Sequence, residues 1–190
     1  ILNFNNEKKY STEELNILIL GGSQAAQTFG EILPEIFKQC VEEKIKIKII
    51  QQCTQSQNYQ LEEYYKKLDI NYELFNFTNN IFKYFSRVEL VITRSGASVT
   101  AELINCKIPF ISIPYPYSAD SHQDKNAVYF KKKGYSFLIK ENEIHKKLFP
   151  LIKLIYRDKK ILNKLIEKQK KHSDANVFIK IKNKVKKLIN

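Results

Sequence analysis

The chain has 190 residues, 43% of them apolar and 27% charged, a globular composition that excludes wholesale disorder and allows one domain with a proper core. No apolar run approaches the roughly 20 residues of a membrane span, nothing reads as a signal peptide, and three singly placed cysteines argue against a disulfide framework or a zinc site and for a reducing, cytoplasmic setting. The net charge of +12 is uneven: residues 1–130 hold 13 Lys and Arg against 15 Asp and Glu, and residues 131–190 hold 19 against 5.

Residues 1–15 are polar and read as a leader to the domain at 16–190. The chain begins at Ile1 and contains no methionine, so it is expected to be a piece of a longer protein. Short β-branched runs then alternate with longer helical patterns. Strands are expected at NILIL (16–20), IKIKII (45–50), YELFNF (72–77), ELVIT (89–93), PFISI (109–113) and SFLI (136–139). Helices are expected between them, near 24–40, 61–68, 81–86, 97–105 and 123–133. Runs that are apolar at every position suit central parallel strands covered on both faces. The alternation predicts an α/β fold with a doubly wound parallel sheet. From Glu141 onward the pattern is helical only: LFPLIKLIYR is expected to be broken by Pro150, and an amphipathic helix is expected over 176–190.

In such a sheet, ligands bind outside the carboxyl ends of the strands. The first such loop is Gly21-Gly22-Ser23-Gln24-Ala25-Ala26. It matches neither the G-x-G-x-x-G nor the P-loop pattern. Its glycines would still allow close backbone approach, and a helix starting near Ser23 would aim N–H groups at an anion, with Ser23 as donor or cap. A purely structural turn is the plainer reading of this motif taken alone.

The second loop, Thr93-Arg94-Ser95-Gly96-Ala97-Ser98, again leads from strand end to helix, and its Ala97 and Ser98 amides would face a second anionic oxygen. Glu102, about a turn further, would repel a phosphate but suits a neighbouring diol, because its two oxygens accept hydrogen bonds. The plainer reading is a solvated helix face. The third loop, PYPYSADSHQDKNA (114–127), carries His122, Gln123 and Asn126, whose uncharged polar groups suit sugar hydroxyls. His122 as a general base lacks a partnering nucleophile motif. His145 and His172 lie in the basic region and read as surface residues.

GGSQAA, RSGASVTAEL and DSHQDKNA, in this order and spacing, resemble the C-terminal domain of the MurG-type glycosyltransferases, the undecaprenyl-diphospho-muramoylpentapeptide β-N-acetylglucosaminyltransferases. NFTNNIFKYFSRVELVITR is similar to the family's F-I-x-x-M segment followed by its strand of the type A-D-x-V-I-x-R. The resemblance runs from about Asn16 to the end. It implies the Rossmann-like C-terminal half of a GT-B enzyme, with C-terminal helices, binding UDP-N-acetylglucosamine for inverting transfer to lipid-linked muramoyl-pentapeptide. It also implies a role in peptidoglycan synthesis, on which cell shape and division depend, at the cytoplasmic face of the membrane.

Carried over by position, Gly22, Ser23 and Gln24 would face the diphosphate and sugar, and Thr78 the uracil. The Arg94-Ser95-Gly96 turn would present the Ala97 and Ser98 amides to the phosphates, and Glu102 would hold the ribose hydroxyls. His122 and Gln123 would contact the N-acetylglucosamine, with Asn126 ordering that turn. No metal or other cofactor is implied. The general base is expected from an N-terminal domain that also binds the lipid acceptor, leaving this chain without a catalytic residue and inactive alone.

Two positions and one short segment depart from the family pattern. Ala25 replaces a glycine, a strain of roughly 1–2 kcal/mol if that residue needs φ above zero. Val99 stands where a threonine is common, and Gln51-Gln52-Cys53-Thr54 replaces H-Q-[ST]-G. These motivate a rival reading as a non-catalytic binding or scaffold subunit with a weakened donor site. The basic 131–190 region motivates two others, an anionic membrane surface or a nucleic-acid-binding module. A nucleic-acid partner is not expected, because the interleaved aromatics and glycines of an RNA reader are missing. Lysine-rich composition throughout the chain is the non-functional alternative for the basic region.

Overall fold

The computed structural model describes residues 13–172, without the side chains of residues 23–26. Residues 1–12 of the expected leader and the expected helix at 176–190 lie outside the described residues. The strands are β1 (Leu15–Leu20), β2 (Ile47–Gln52), β3 (Asn71–Phe75), β4 (Leu90–Thr93), β5 (Phe110–Ser112) and β6 (Ser136–Leu138). The helices are α1 (Gly22–Glu42), α2 (Asn58–Lys67), α3 (Phe82–Phe85), α4 (Ala97–Asn105), α5 (His122–Lys133), α6 (Ile144–Arg157) and α7 (Lys160–Lys170). Every pairing is parallel, in the order β3-β2-β1-β4-β5-β6. The doubly wound sheet expected from the sequence is therefore present.

The two-residue period of a strand divides the core into two layers. Leu15, Ile17 and Ile19 of β1 point toward α1, α2 and α6, joining Phe29, Leu33, Tyr65, Leu148 and Ile152. Leu18 and Leu20 point the other way, toward α3 and α4, joining Tyr84, Phe85, Leu103 and Ile104. Ile17, Leu18 and Ile19 are all fully buried, which explains why β1 is apolar without alternation. Truncating any one of them to alanine costs about 2–5 kcal/mol.

Two expectations are corrected. The second strand begins and ends two residues later than the apolar pattern suggested. Lys44, at φ 58°, ends α1, and the Ile45 amide turns back to the Cys40 carbonyl at 2.8 Å. Ile45 therefore closes the helix, and the strand runs on through two polar residues. Gln51 is buried because its Oε1 accepts the Tyr65 hydroxyl at 2.6 Å.

Pro150 does not break α6. Ile144, Leu148, Ile152 and Ile155 bury one continuous stripe of that helix, and Pro150 is exposed on the opposite side. The Lys146 carbonyl it leaves without a helical donor lies toward water, so the loss is small compared with the stripe's burial.

Candidate functional site

β1 and β4 are neighbours, but α1 leaves toward one face of the sheet and α4 toward the other. Their ends diverge and open a crevice, the expected ligand position in a sheet of this strand order. A cleft of about 480 Å³ lies there, walled by the loops that follow β1, β2, β3, β4 and β5.

The sequence-derived residues divide between the cleft wall and its support. Gly22, Thr78, Arg94, Gly96, Ser98, Glu102 and Gln123 line the cleft. Ser95, Ala97, His122 and Asn126 do not. Ser23 and Gln24 lie in the first turn of α1, and their side chains are outside the described residues. α1 begins at Gly22, with Gly21 in the capping position, so Ser23 is not the cap expected of it. The left-handed residue of the turn is Gly22, at φ 65°. Ala25 lies within the helix, where alanine is favoured, so the conditional strain does not arise there.

α4 begins at Ala97, as read from the sequence, with Gly96 extended at φ −65° and ψ 142° in the capping position. Gly96 has no side chain to cap the helix, so the first amides of α4 keep their donors for a ligand. Glu102 is half-buried in the cleft wall and forms no ion pair among the described residues. Val99 also lines the cleft. The Thr100 hydroxyl does not replace the missing threonine: it donates to the Gly96 carbonyl at 2.6 Å from a fully buried position.

On the β5 side, the Tyr115 amide donates to Gln123 Oε1 at 3.0 Å. This leaves the Gln123 amide nitrogen as the free pole of a cleft-lining side chain. Asn126 Nδ2 donates to the Ser95 carbonyl at 3.1 Å, tying α5 to the end of β4. His122 is exposed, with Nδ1 2.7 Å from the Ala119 carbonyl. Asp120 and Ser121, just before α5, are both left-handed, with φ of 48° and 52°.

Arg94 lines the cleft but is only 6% exposed. Its Nη1 donates to the carbonyls of Ile113 at 3.2 Å and Pro114 at 3.3 Å, and its Nη2 lies 2.5 Å from a Glu141 carboxylate oxygen. Gln52, Phe77 and Tyr115 also line the cleft; the sequence marked Gln52 only as part of a departure from the family pattern and gave Phe77 and Tyr115 no role. The available signal was position: Phe77 and Tyr115 lie just beyond the ends of β3 and β5, and Gln52 is the last residue of β2. Among the described residues, no group of three or more His, Cys, Asp or Glu is placed to hold a metal.

Residues 16–186 match the Glycosyltransferase family 28 C-terminal domain. The chain belongs to this family. The family 28 domain is 35% identical over 167 residues to the UDP-N-acetylglucosamine--N-acetylmuramyl-(pentapeptide) pyrophosphoryl-undecaprenol N-acetylglucosamine transferase of Pelagibacter ubique, covering 86% of this chain and 43% of that protein. It is 34% identical over 180 residues to the enzyme of the same name from Prochlorococcus marinus strain MIT 9312, covering 92% and 48%. The chain thus spans less than half the length of these relatives. Among solved structures, Acinetobacter baumannii MurG shares its fold at a TM-score of 0.76 and 24% identity, over 88% of this chain and 50% of that one. A UDP co-structure of S. aureus MnaA shares it at a TM-score of 0.59 and 11% identity, over 82% and 40%. The resemblance read from the three loops is therefore met by the family, and the Rossmann-like fold by the architecture.

Proposed function

We propose that this chain is the donor-binding half of a glycosyltransferase that moves N-acetylglucosamine from UDP-N-acetylglucosamine to a lipid-linked muramoyl-pentapeptide in peptidoglycan synthesis. The observation that carries the reading is Glu102, a half-buried carboxylate that forms no ion pair among the described residues, in a cleft whose wall also holds the start of α4. A carboxylate among amide donors suits a ligand that carries a diol next to a phosphate, as a nucleoside diphosphate does. The relatives' names supply the sugar and the acceptor.

In this reading the α4 amides of Ala97 and Ser98 and the turn at Gly22, Ser23 and Gln24 face the diphosphate, and Glu102 accepts from the ribose hydroxyls. Thr78 offers backbone groups to the uracil, and Phe77 beside it, 77% exposed, offers a ring face suited to stacking on a flat base. His122 and Gln123 meet the sugar hydroxyls, while Asn126 holds their turn in place. The acceptor hydroxyl attacks the anomeric carbon, the bond to the diphosphate oxygen breaks with its electron pair, and the configuration inverts. Preorganised amides at the start of a helix stabilise the charge that gathers on the departing UDP, without a metal ion.

The base that takes the acceptor's proton belongs, in this reading, to an acceptor domain joined through residues 1–15, with 16–190 as the donor domain. Such an enzyme works at the inner face of the membrane, held there as a peripheral protein. Exposed Lys131, Lys132 and Lys133 at the end of α5 suit an anionic surface, each contributing about 1 kcal/mol at most. Among the described residues, no helix is long and apolar enough to cross a membrane. Titration calorimetry tests the reading: the folded chain should bind UDP-N-acetylglucosamine and Glu102→Ala should lose it. A folded chain that does not bind the nucleotide sugar overturns the proposal.

A further inference from the structure

Arg94 joins four segments that are distant in sequence. It sits at the end of β4, and its guanidinium lies 4.7 Å from the Phe29 ring centre of α1 and 5.4 Å from that of Tyr115. Its Nη1 holds the Ile113 and Pro114 carbonyls, where the loop after β5 begins. Its Nη2 meets Glu141, in the turn Glu141–Glu143 that leads into α6. Glu141 is not part of the cleft wall. A guanidinium this buried needs a counter-charge, because desolvating it unpaired is costly. Glu141 supplies that counter-charge, beside the two carbonyls and two rings that also hold Arg94.

The next link runs from Pro114 into the cleft. Tyr115 follows the two clamped carbonyls, and its amide fixes the Gln123 side chain at 3.0 Å. Asn126 ties α5 to Ser95 independently of Arg94. Ile113 stays anchored by its amide to the Thr93 carbonyl at 2.8 Å, so loosening the clamp frees Pro114, Tyr115 and the Gln123 side chain without detaching α5. Thr78 and Glu102, on the nucleotide side, stand on other elements.

We propose that Glu141, acting through Arg94, is a positioning residue that sets residues 114–115, and the Gln123 side chain they hold at the start of α5, against the start of α4, and so governs the extra affinity that a sugar adds to the bound nucleotide. This rests on the nucleotide-sugar reading above. Its signature is selective: the clamp controls the sugar end of the site and leaves the nucleotide end alone.

The test is calorimetric titration of the whole chain with UDP and with UDP-N-acetylglucosamine, each variant held below its own thermal midpoint. Glu141→Gln, which is isosteric, should weaken UDP-N-acetylglucosamine roughly tenfold while UDP stays within about twofold. Glu141→Ala should go further in the same direction. Glu89→Gln is the control, because it removes the charge from the other buried pair, Glu89 with Lys159 at 2.8 Å, at the opposite end of β4. It should lower the thermal midpoint without moving the ratio of the two affinities. Glu141 variants that bind both ligands as the parent does, or lose both equally, overturn the inference, as does a Glu89→Gln variant that shifts the ratio equally. A folded parent that binds neither ligand overturns the nucleotide-sugar reading, and the inference with it.

Discussion

Gln52, at the end of β2, accepts the Gly22 amide at 3.1 Å and donates to the Asn76 carbonyl at 3.3 Å. One side chain thus laces together the loops that follow β1, β2 and β3. The Gly22 N–H, which a phosphate-binding turn would offer, already has a protein acceptor. Among the described residues, no side chain caps the start of α4 in this way.

Gly22→Ala separates conformation from crowding. Gly22 is left-handed, and an added Cβ would meet nothing within 4 Å. The substitution should therefore destabilise by about 1–2 kcal/mol through backbone strain alone. Gln52→Ala should cost about 1 kcal/mol, and the double variant less than the two together, because both act on one turn. Urea unfolding measures all three. A Gly22→Ala chain as stable as the parent would contradict the left-handed turn.

Gly30→Ala should reverse the usual benefit of alanine in a helix. Its Cβ would press on the Gln57 side chain, with Cδ at 2.7 Å. Gln57 cannot yield freely: its Nε2 donates to the Gln27 carbonyl at 2.9 Å, and its Oε1 accepts the Thr54 amide at 3.2 Å. Instead of gaining about 1 kcal/mol in helix propensity, the variant should lose about 1–2 kcal/mol. Gly30→Ala combined with Gln57→Ala should recover part of the loss, and a stabilised single variant would show that Gln57 moves without penalty.

The cysteines should react in order of burial. Burial pushes the Cys40 thiol up to about 12 and raises that of Cys53, so neither forms appreciable thiolate at neutral pH. Cys106 is only half-buried. Native alkylation followed by peptide mass analysis should label Cys106 first, with Cys40 reached only on unfolding. Early labelling of Cys40 would mean that the layer between α1 and the sheet opens locally.

Acid sensitivity should fall when Lys153 is neutralised. Lys153 pairs with Glu43 at 2.8 Å, joining α6 to the end of α1. Its hydrogen bond and charge hold the Glu43 carboxyl below its ordinary value of 4.5. A carboxylate lowered on folding stabilises the protein above its unfolded value and loses that contribution as pH falls through the folded one. Lys153→Met should therefore lower the thermal midpoint slightly at neutral pH, where the pair is formed, and leave it nearly unchanged at about pH 3, so that the drop between about pH 5 and about pH 3 flattens. An unchanged acid limb would count against the pair.

What the sequence disclosed follows from the distance over which each cause acts. The start of α4 at Ala97 was legible because Gly96 and the small residues beside it mark a helix boundary locally. The central strands β1 and β4 were legible because burial leaves them almost wholly apolar. The end of β2 was not, because Gln51 is tolerated only through the Tyr65 hydroxyl on another element. Pro150 misled for the same reason: what outweighs it is a buried stripe spread along α6, most of it outside the dipeptide that signals a break. In the cleft, the residue types were visible but their division between wall and support was not. Arg94 looks like a ligand-binding cation until Glu141, nearly fifty residues later, is found beside it.

The crevice also has a consequence for how the chain acquires its structure. It lies on the seam between two runs of strands, with Ile17 of β1 in register with Leu90 of β4 and the adjoining Asn16 and Glu89 separated by 73 residues in sequence. Closing a loop of that length comes late, because its entropy must be overcome before the contacts it brings can reward it. Neither run alone possesses both walls. A half-assembled intermediate has nowhere to hold a ligand, so ligand occupancy would report completion of the fold and draw the last step of assembly forward by mass action.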